Sequence, residues 1–213
     1  MVSDEDISEF EERKIFKNKS GILYGIAIND ADFSVKIYKD GKTRTHPAYS
    51  VWVGMLNRCY GDQIKNKTTS YQGCYVCKEW LVFSNFLSWW KRNAIKGFCM
   101  DKDILFIDNK IYSPDTVIFV PPSINTFVIA NNKRRGEYPV GVNFDKNAGK
   151  FRSSCRDNIT GKLRYLGLYS TQEDAHAAWL TFKMSQITSH KEYLDSIDTR
   201  LYEALIDKIK SIL

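Results

Sequence analysis

Apolar residues alternate with polar ones in some stretches of this chain and recur at helical spacing in others, and the changes of period mark its elements. Residues 3–17 read as a short charged helix, with Ser3 or Asp4 as cap and glutamates in the first turn. Residues 21–38 alternate loosely, through Ile22, Tyr24 and Ile26 and then Phe33, Val35 and Ile37. Asn29-Asp30 lies between the two runs and predicts a hairpin, and Asp40-Gly41 is a second turn signal. From Ala48 the period becomes helical, with Val51, Met55, Leu56 and Cys59, and stops near Tyr60-Gly61. The polar run 62–70 reads as a loop. Residues 80–91 are helical again, and Leu81, Phe83, Phe86 and Trp90 make a broad aromatic face suited to a core. Residues 100–120 read as two strands joined by a long loop, with a turn at Asn109-Lys110 and Ser113-Pro114. Pro121-Pro122 then opens a short helix over 123–130.

The tract 131–136, which holds Lys133, Arg134 and Arg135, is polar and basic and marks a linker. Beyond it the pattern sharpens. Residues 140–144, 150–156 and 163–169 are three strands separated by the turns 146–149 and 158–161. Ser170 is expected to cap a helix from Thr171, with Glu173 at the third helical position as in a capping box. Ala175, Ala178, Trp179 and Phe182 form its apolar stripe. Residues 191–213 read as a further amphipathic helix (Leu194, Ile197, Leu201, Leu205, Ile209) that covers an edge or mediates dimerisation. The fold class is therefore α+β. The expected divisions are 1–47, 48–131, 132–190 and 191–213.

Composition narrows the classes. Hydrophobic residues are 43% and aromatics 14% of the 213 residues, enough for packed cores and too many for disorder. No apolar run approaches the length of a membrane span, and the acidic start lacks the apolar core of a signal peptide, so a cytoplasmic protein without a membrane partner is expected. The five cysteines are odd in number and argue against a disulfide framework. Cys74 and Cys77 have the spacing of half a zinc site, but Cys59 and Cys99 are too scattered to supply the rest, which favours buried reduced thiols over zinc. Net charge is +6, and residues 132–168 hold nine Lys or Arg against Glu137, Asp145 and Asp157. The whole excess lies in this sixth of the chain, which points to a polyanionic partner.

A three-stranded sheet backed by one helix leaves one face uncovered. By alternation Phe151, Ser153 and Cys155 turn to the helix, and Arg152, Ser154 and Arg156 to the open face, joined there by Asn143 and Tyr165. The string Val140-Gly141-Val142, Gly149-Lys150-Phe151-Arg152, Arg156-Asp157, Leu166-Gly167-Leu168-Tyr169, Glu173-Asp174-Ala175 and Ala178 resembles the AP2 domain of plant transcription factors and of phage and bacterial endonucleases. The resemblance covers about fifty residues and implies an ERF-type sheet lying in the major groove of double-stranded DNA. Arg156 stands where that family has a DNA-contacting arginine, and Tyr165 where it often has an aromatic. Val140, Asn143 and Asp145 replace the arginines of the plant first strand, so plant-type specificity does not carry over. Arg152, Asn143, Ser154, Lys146 and the linker cations Lys133, Arg134 and Arg135 complete the expected DNA-binding set.

Residues 48–125 resemble the HNH endonuclease-like proteins of phages. The landmarks are Tyr49-Ser50-Val51-Trp52, Met55 to Tyr60, Tyr71-Gln72-Gly73-Cys74, Val76 to Trp80, Met100-Asp101-Lys102-Asp103, Tyr112-Ser113-Pro114, and Ile118 to Pro121 with Ile124-Asn125. With the AP2-like module this is the arrangement of phage homing endonucleases, acting in the host cytoplasm. It implies a metal-dependent nuclease or nickase in which Asp101 and Asn125 ligate Mg²⁺ or Mn²⁺. Lys102 stands at the place of the general-base histidine, and Thr116 near that of the asparagine that orients it. Lysine is ordinarily protonated at neutral pH and is a poor base. The implied route is metal-activated water, with Lys102 contacting phosphate. His46, His176 and His190 offer no obvious substitute. Two readings stay open: a cleaving enzyme, and a DNA-binding protein without cleavage that acts as a regulator or as an inhibitor of a host system. A protein-interaction module built on residues 80–90 is a third class.

Overall fold

The computed structural model describes residues 5–15, 21–62, 71–125, 137–157 and 161–211. The chain divides into two compact units, Met1–Val120 and Pro121–Leu213.

The first unit opens with helix α1 (Glu5–Glu11) and two hairpins, β1 (Gly21–Leu23) with β2 (Ala27–Asn29) and β3 (Lys36–Lys39) with β4 (Lys42–Thr45). Asp40-Gly41 is the second turn, both residues having positive φ as a two-residue hairpin loop requires. Asn29-Asp30 is not the turn that alternation suggested, because the first hairpin closes earlier, at Tyr24-Gly25. The polar pair serves elsewhere: Asn29 accepts the Ala31 N–H, and the Asp30 carboxylate accepts from both the backbone N–H (2.9 Å) and the hydroxyl (2.6 Å) of Ser84. Asp30 thereby caps, from outside, the first turn of the helix that begins at Phe83. Helix α1 is also shorter than its charge pattern suggested, for Lys14 already bridges Phe33 as extended chain.

Helix α2 (Pro47–Tyr60) starts with proline at its first position, where no N–H is needed, and buries Ala48, Trp52, Met55, Leu56 and Cys59 along one stripe. Strand β5 (Tyr75–Val76), a 3-10 turn (Lys78–Leu81) and helix α3 (Phe83–Asn93) follow. Strand β6 (Cys99–Asp101) pairs antiparallel with β8 (Ile118–Val120), as two strands around a long loop should, while β7 (Ile111–Tyr112) leaves that loop to pair in parallel with β5. The aromatic face of 80–90 is core: Trp80, Phe83, Phe86 and Trp90 are buried, and the Trp52 indole donates to the Trp80 carbonyl at 2.7 Å. Phe10, Phe33 and Ile37 belong to the same cluster, so the described residues before α2 share the core of this unit.

His46 sits inside that cluster with 0% exposure, ringed by Phe10, Phe33, Phe83 and Trp90. Burial pushes its pKa down to about 4, against the pull of the Glu11 carboxylate. A group whose folded pKa is depressed stabilises the fold above its unfolded value and loses that contribution as pH falls through the folded one. Between pH 6.5 and 4, His46 is therefore expected to withdraw about 3 kcal/mol of stability from the first unit. The measurement is urea unfolding across that range for wild type and His46→Phe. Equal pH slopes in the two proteins would refute it.

The second unit begins with the short helix α4 (Pro122–Asn125). The rest of the helix expected over 123–130, and the linker with Lys133, Arg134 and Arg135, lie outside the described residues. Strands β9 (Val142–Asp145), β10 (Lys150–Arg156) and β11 (Leu163–Tyr169) form an antiparallel sheet with β10 in the middle. Helix α5 (Gln172–Ser189) packs across all three strands. Its cap is Thr171 and not Ser170: the Thr171 hydroxyl accepts the Asp174 N–H at 3.1 Å, which puts Asp174 and not Glu173 at the third position. The single helix expected over 191–213 is two, α6 (Lys191–Ile197) and α7 (Leu201–Lys210). Asp198 breaks it by accepting the Arg200 backbone N–H at 2.9 Å and pairing with its guanidinium. Leu201, Leu205, Ile206 and Ile209 are buried, and α7 packs on α5 and α6. Residues 191–211 therefore complete the second unit.

Candidate nucleic-acid interface

The pairing register decides what each face of the sheet carries, since residues directly opposite one another in an antiparallel pair share a face. On the helix side the rows are Phe144–Phe151–Tyr169, Val142–Ser153–Gly167 and Cys155–Arg164. On the open side they are Asp145–Lys150, Asn143–Arg152–Leu168, Ser154–Tyr165 and Arg156–Leu163. Ser153 and Cys155 are buried, and Arg152 and Arg156 are exposed, as alternation required. Asn143, Lys146 and Tyr165 are exposed and Ser154 is half-buried. The structure thus brings Arg152, Arg156, Asn143, Ser154 and Tyr165 together on one face, with Lys146 beside them. Asn143, Asp145, Lys146, Arg152, Ser154 and Tyr165 are among the walls of a depression of about 490 Å³ on that face.

The two arginines are four residues apart on one strand, about 13 Å along it. Each is oriented by a contact to a described residue. Arg152 Nη2 donates to Asp145 Oδ2 at 2.5 Å, and Arg156 Nη1 donates to the Gly161 carbonyl at 2.6 Å. Asp145 is fixed in turn, because its Oδ1 accepts the N–H groups of Asn147 and Ala148, both at 3.1 Å. The Ala148 N–H and the Arg152 guanidinium hold the Asp145 carboxyl below the usual carboxylate range. One carboxylate therefore ties the β9–β10 turn to an arginine of the open face.

Two features of this face escaped the sequence reading. Lys150 shares parity with Arg152 and could have been named from alternation. Leu163 and Leu168 join the face as apolar residues; the first follows from alternation, while the second depends on a bulge. Ser153 faces Gly167 but Ser154 faces Tyr165, so Leu166 is the extra residue on β11. Gly167 has φ +141, and a Cβ there would meet the Tyr169 ring at 3.1 Å. A glycine inside a strand pattern was the available signal.

Behind the sheet, Lys183 is buried near Cys155 and Asp157, and burial lowers the pKa of its amine. The Asp157 carboxylate also receives Arg164 Nε at 3.3 Å. This cluster joins the helix to the end of the middle strand on the side away from the arginines.

The residues expected to carry nuclease chemistry divide between the units. Asp101, the last residue of β6, spends its Oδ1 on the N–H groups of Asp103 (2.7 Å) and Ile104 (2.8 Å) in the first unit. Asn125 ends α4 in the second. Lys102 is 3% exposed; its ammonium pairs with Asp103, donates to the Asn109 carbonyl at 2.8 Å, and lies 5.8 and 5.7 Å from the Tyr71 and Tyr112 ring centres. Asn109 returns a bond to the Lys102 carbonyl at 2.6 Å. The Lys102 amine is thus enclosed, with bonds to Asp103 and the Asn109 carbonyl of its own loop. Thr116 bonds the Ile111 carbonyl at 2.8 Å. His46 is enclosed in the first core, His176 Nδ1 meets the Val140 carbonyl at 2.9 Å, and His190 Nδ1 meets the Gln186 carbonyl at 2.7 Å.

Cys74 is buried and Cys77 half-buried. Among the described residues no three His, Cys, Asp or Glu side chains gather as a metal site, and no helix is long and apolar enough to cross a membrane. Set against protein-family models, curated proteins and solved structures, the chain matches none of them. What the sheet can do therefore follows from its own geometry.

Proposed function

We propose that the second unit binds double-stranded DNA by laying the open face of β9–β11 in the major groove. The observation that carries this reading is the placement of Arg152 and Arg156: exposed, on the face turned away from α5, and each oriented by a fixed acceptor. Three strands at about 4.8 Å spacing span roughly 10 Å, which suits a groove about 12 Å wide. Arginine pairs there with guanine N7 and O6 or with phosphate, and Asn143 has the amide that reads adenine. Lys146 and Lys150 add charge at the β9–β10 end of the face.

Phosphate contacts release counterions, so affinity should fall steeply with salt. For a random-sequence duplex followed by fluorescence anisotropy, a slope of about −2 to −4 in log K against log salt is expected from these four cations. No binding at low salt would end the reading.

Cleavage by an HNH-like site is the second reading, and the fixed carboxylate of Asp101 at a strand end is the observation in its favour. The enclosure of Lys102 and of His46 speaks for the alternative, a DNA-binding protein acting as a regulator or inhibitor without cutting. Supercoiled plasmid with Mg²⁺ or Mn²⁺ separates the two. The variant of choice is Asp101→Asn, which keeps the oxygen that the Asp103 and Ile104 N–H groups need. Nicking by wild type that disappears in Asp101→Asn supports the enzyme, and binding without nicking in either protein supports the regulator.

A further inference from the structure

The open face carries an apolar row that attraction to phosphate does not account for. Leu163, Tyr165 and Leu168 are 70%, 62% and 38% exposed on β11. Their partners on β10 are Arg156, Ser154 and Arg152, the residues turned away from α5. Plain alternation from Leu163 would turn Leu168 toward the helix. The bulge at Leu166 and Gly167 reverses the parity and brings Leu168 out beside the other two. One strand of the sheet thus presents large apolar groups while its neighbour, about 4.8 Å away, presents cations.

A partner for this face has to be anionic and has to offer small apolar groups close to hydrogen-bonding edges. The major groove of DNA meets both conditions, since the thymine C5-methyl projects into it next to the acceptors of guanine and adenine. An apolar protein surface meets only the second and leaves Arg152, Arg156, Lys146 and Lys150 without complement. Phosphate alone meets only the first.

We infer that Leu163, Tyr165 and Leu168 read thymine methyl groups, so that the bound sites set thymines alongside the bases contacted by Arg152 and Arg156. This rests on the duplex-binding reading above. The same strand-to-strand division assigns hydrogen-bonding readout to β10 and methyl readout to β11. It also gives the bulge a purpose, because without it the row would be two residues long.

The test uses the full chain and duplexes selected by it from a random-sequence pool. Each selected duplex is made again with deoxyuridine for every thymidine, which removes the methyl and keeps the charge and the hydrogen-bonding edges. Wild type is expected to bind the uracil duplexes more weakly, by about fourfold for each methyl contacted. In Leu163→Ser/Tyr165→Ser the gap between thymine and uracil duplexes should close to about the single methyl left to Leu168. Both replaced side chains are exposed, and the wild-type comparison requires no variant at all. Equal affinity of wild type for thymine and uracil duplexes would overturn the inference and leave duplex binding standing. Failure to bind any duplex at low salt would overturn both.

Discussion

Replacing Arg152 and Arg156 together by alanine is expected to weaken binding to a selected duplex by at least about 30-fold, taking the lower end of 1–3 kcal/mol for each arginine contact to a base. The reason is positional. These two side chains project from one strand on the uncovered face, and each meets an internal acceptor that aims it, Asp145 for Arg152 and the Gly161 carbonyl for Arg156. The Arg152–Asp145 contact is worth little to the fold: the guanidinium is 53% exposed, and ion pairs that water reaches contribute about 0–1 kcal/mol. The double variant should therefore stay folded, which circular dichroism checks. The control is Lys36→Ala/Lys42→Ala, which removes the same charge from the exposed β3–β4 hairpin of the first unit. If both double variants lose affinity equally, net charge alone drives binding and the face has no special part. If only the arginine variant loses affinity, and the preference for selected over scrambled duplex collapses with it, the arginines contact base edges. A loss shared equally by all sequences, with a salt slope shallower by about two, would move them to the phosphates.

The second unit was legible in the sequence where local chemistry decides the outcome. The strands β9 to β11 follow from period-two patterning between glycine-containing turns, and the faces of β10 follow from parity alone. The features that were missed depend on partners remote in sequence or on one dihedral angle. Gly167 inside a strand pattern signals an irregularity, but the backbone angle of +141 and the one-residue shift it brings are set by pairing with β10, so alternation alone left Leu168 off the open face. Ser170 and Thr171 are both competent caps, and the choice between them was settled only by which hydroxyl reaches the Asp174 N–H. Asn29-Asp30 has the composition of a turn, yet Asp30 is taken up by Ser84, more than fifty residues away. Lys102 shows the same limit at a candidate site. Its flanking aspartates were visible, but its burial comes from Asn109, Tyr71 and Tyr112, which the fold brings to it. A charged residue in a motif position reads as reactive until its partners are known. Here they turn it into a brace for the loop between β6 and β7.

Gly141→Ala is expected to destabilise the second unit by about 2–5 kcal/mol, combining a left-handed backbone penalty of 1–2 with overpacking of 1–3. Gly141 has φ +81, and a Cβ built on it would stand 2.0 Å from Cδ1 and 2.4 Å from Cγ of Trp179. The indole cannot step aside cheaply: it is buried on α5 and stacked on His176, whose ring is itself held to the Val140 carbonyl. The Gly141 carbonyl meanwhile accepts the Ser154 N–H at 2.9 Å, so a shift of the backbone pulls on the middle strand next to the open face. Thermal unfolding gives the size of the loss, and a double-mutant cycle divides it. In a Trp179→Leu background the ring edge is gone, and Gly141→Ala should then cost only the backbone share, about 1–2 kcal/mol. Equal cost in both backgrounds would show that the indole plays no part. Because β9 starts at the next residue, the variant should also loosen the pairing of Asn143 with Arg152, and its duplex affinity should fall even at temperatures where it remains folded.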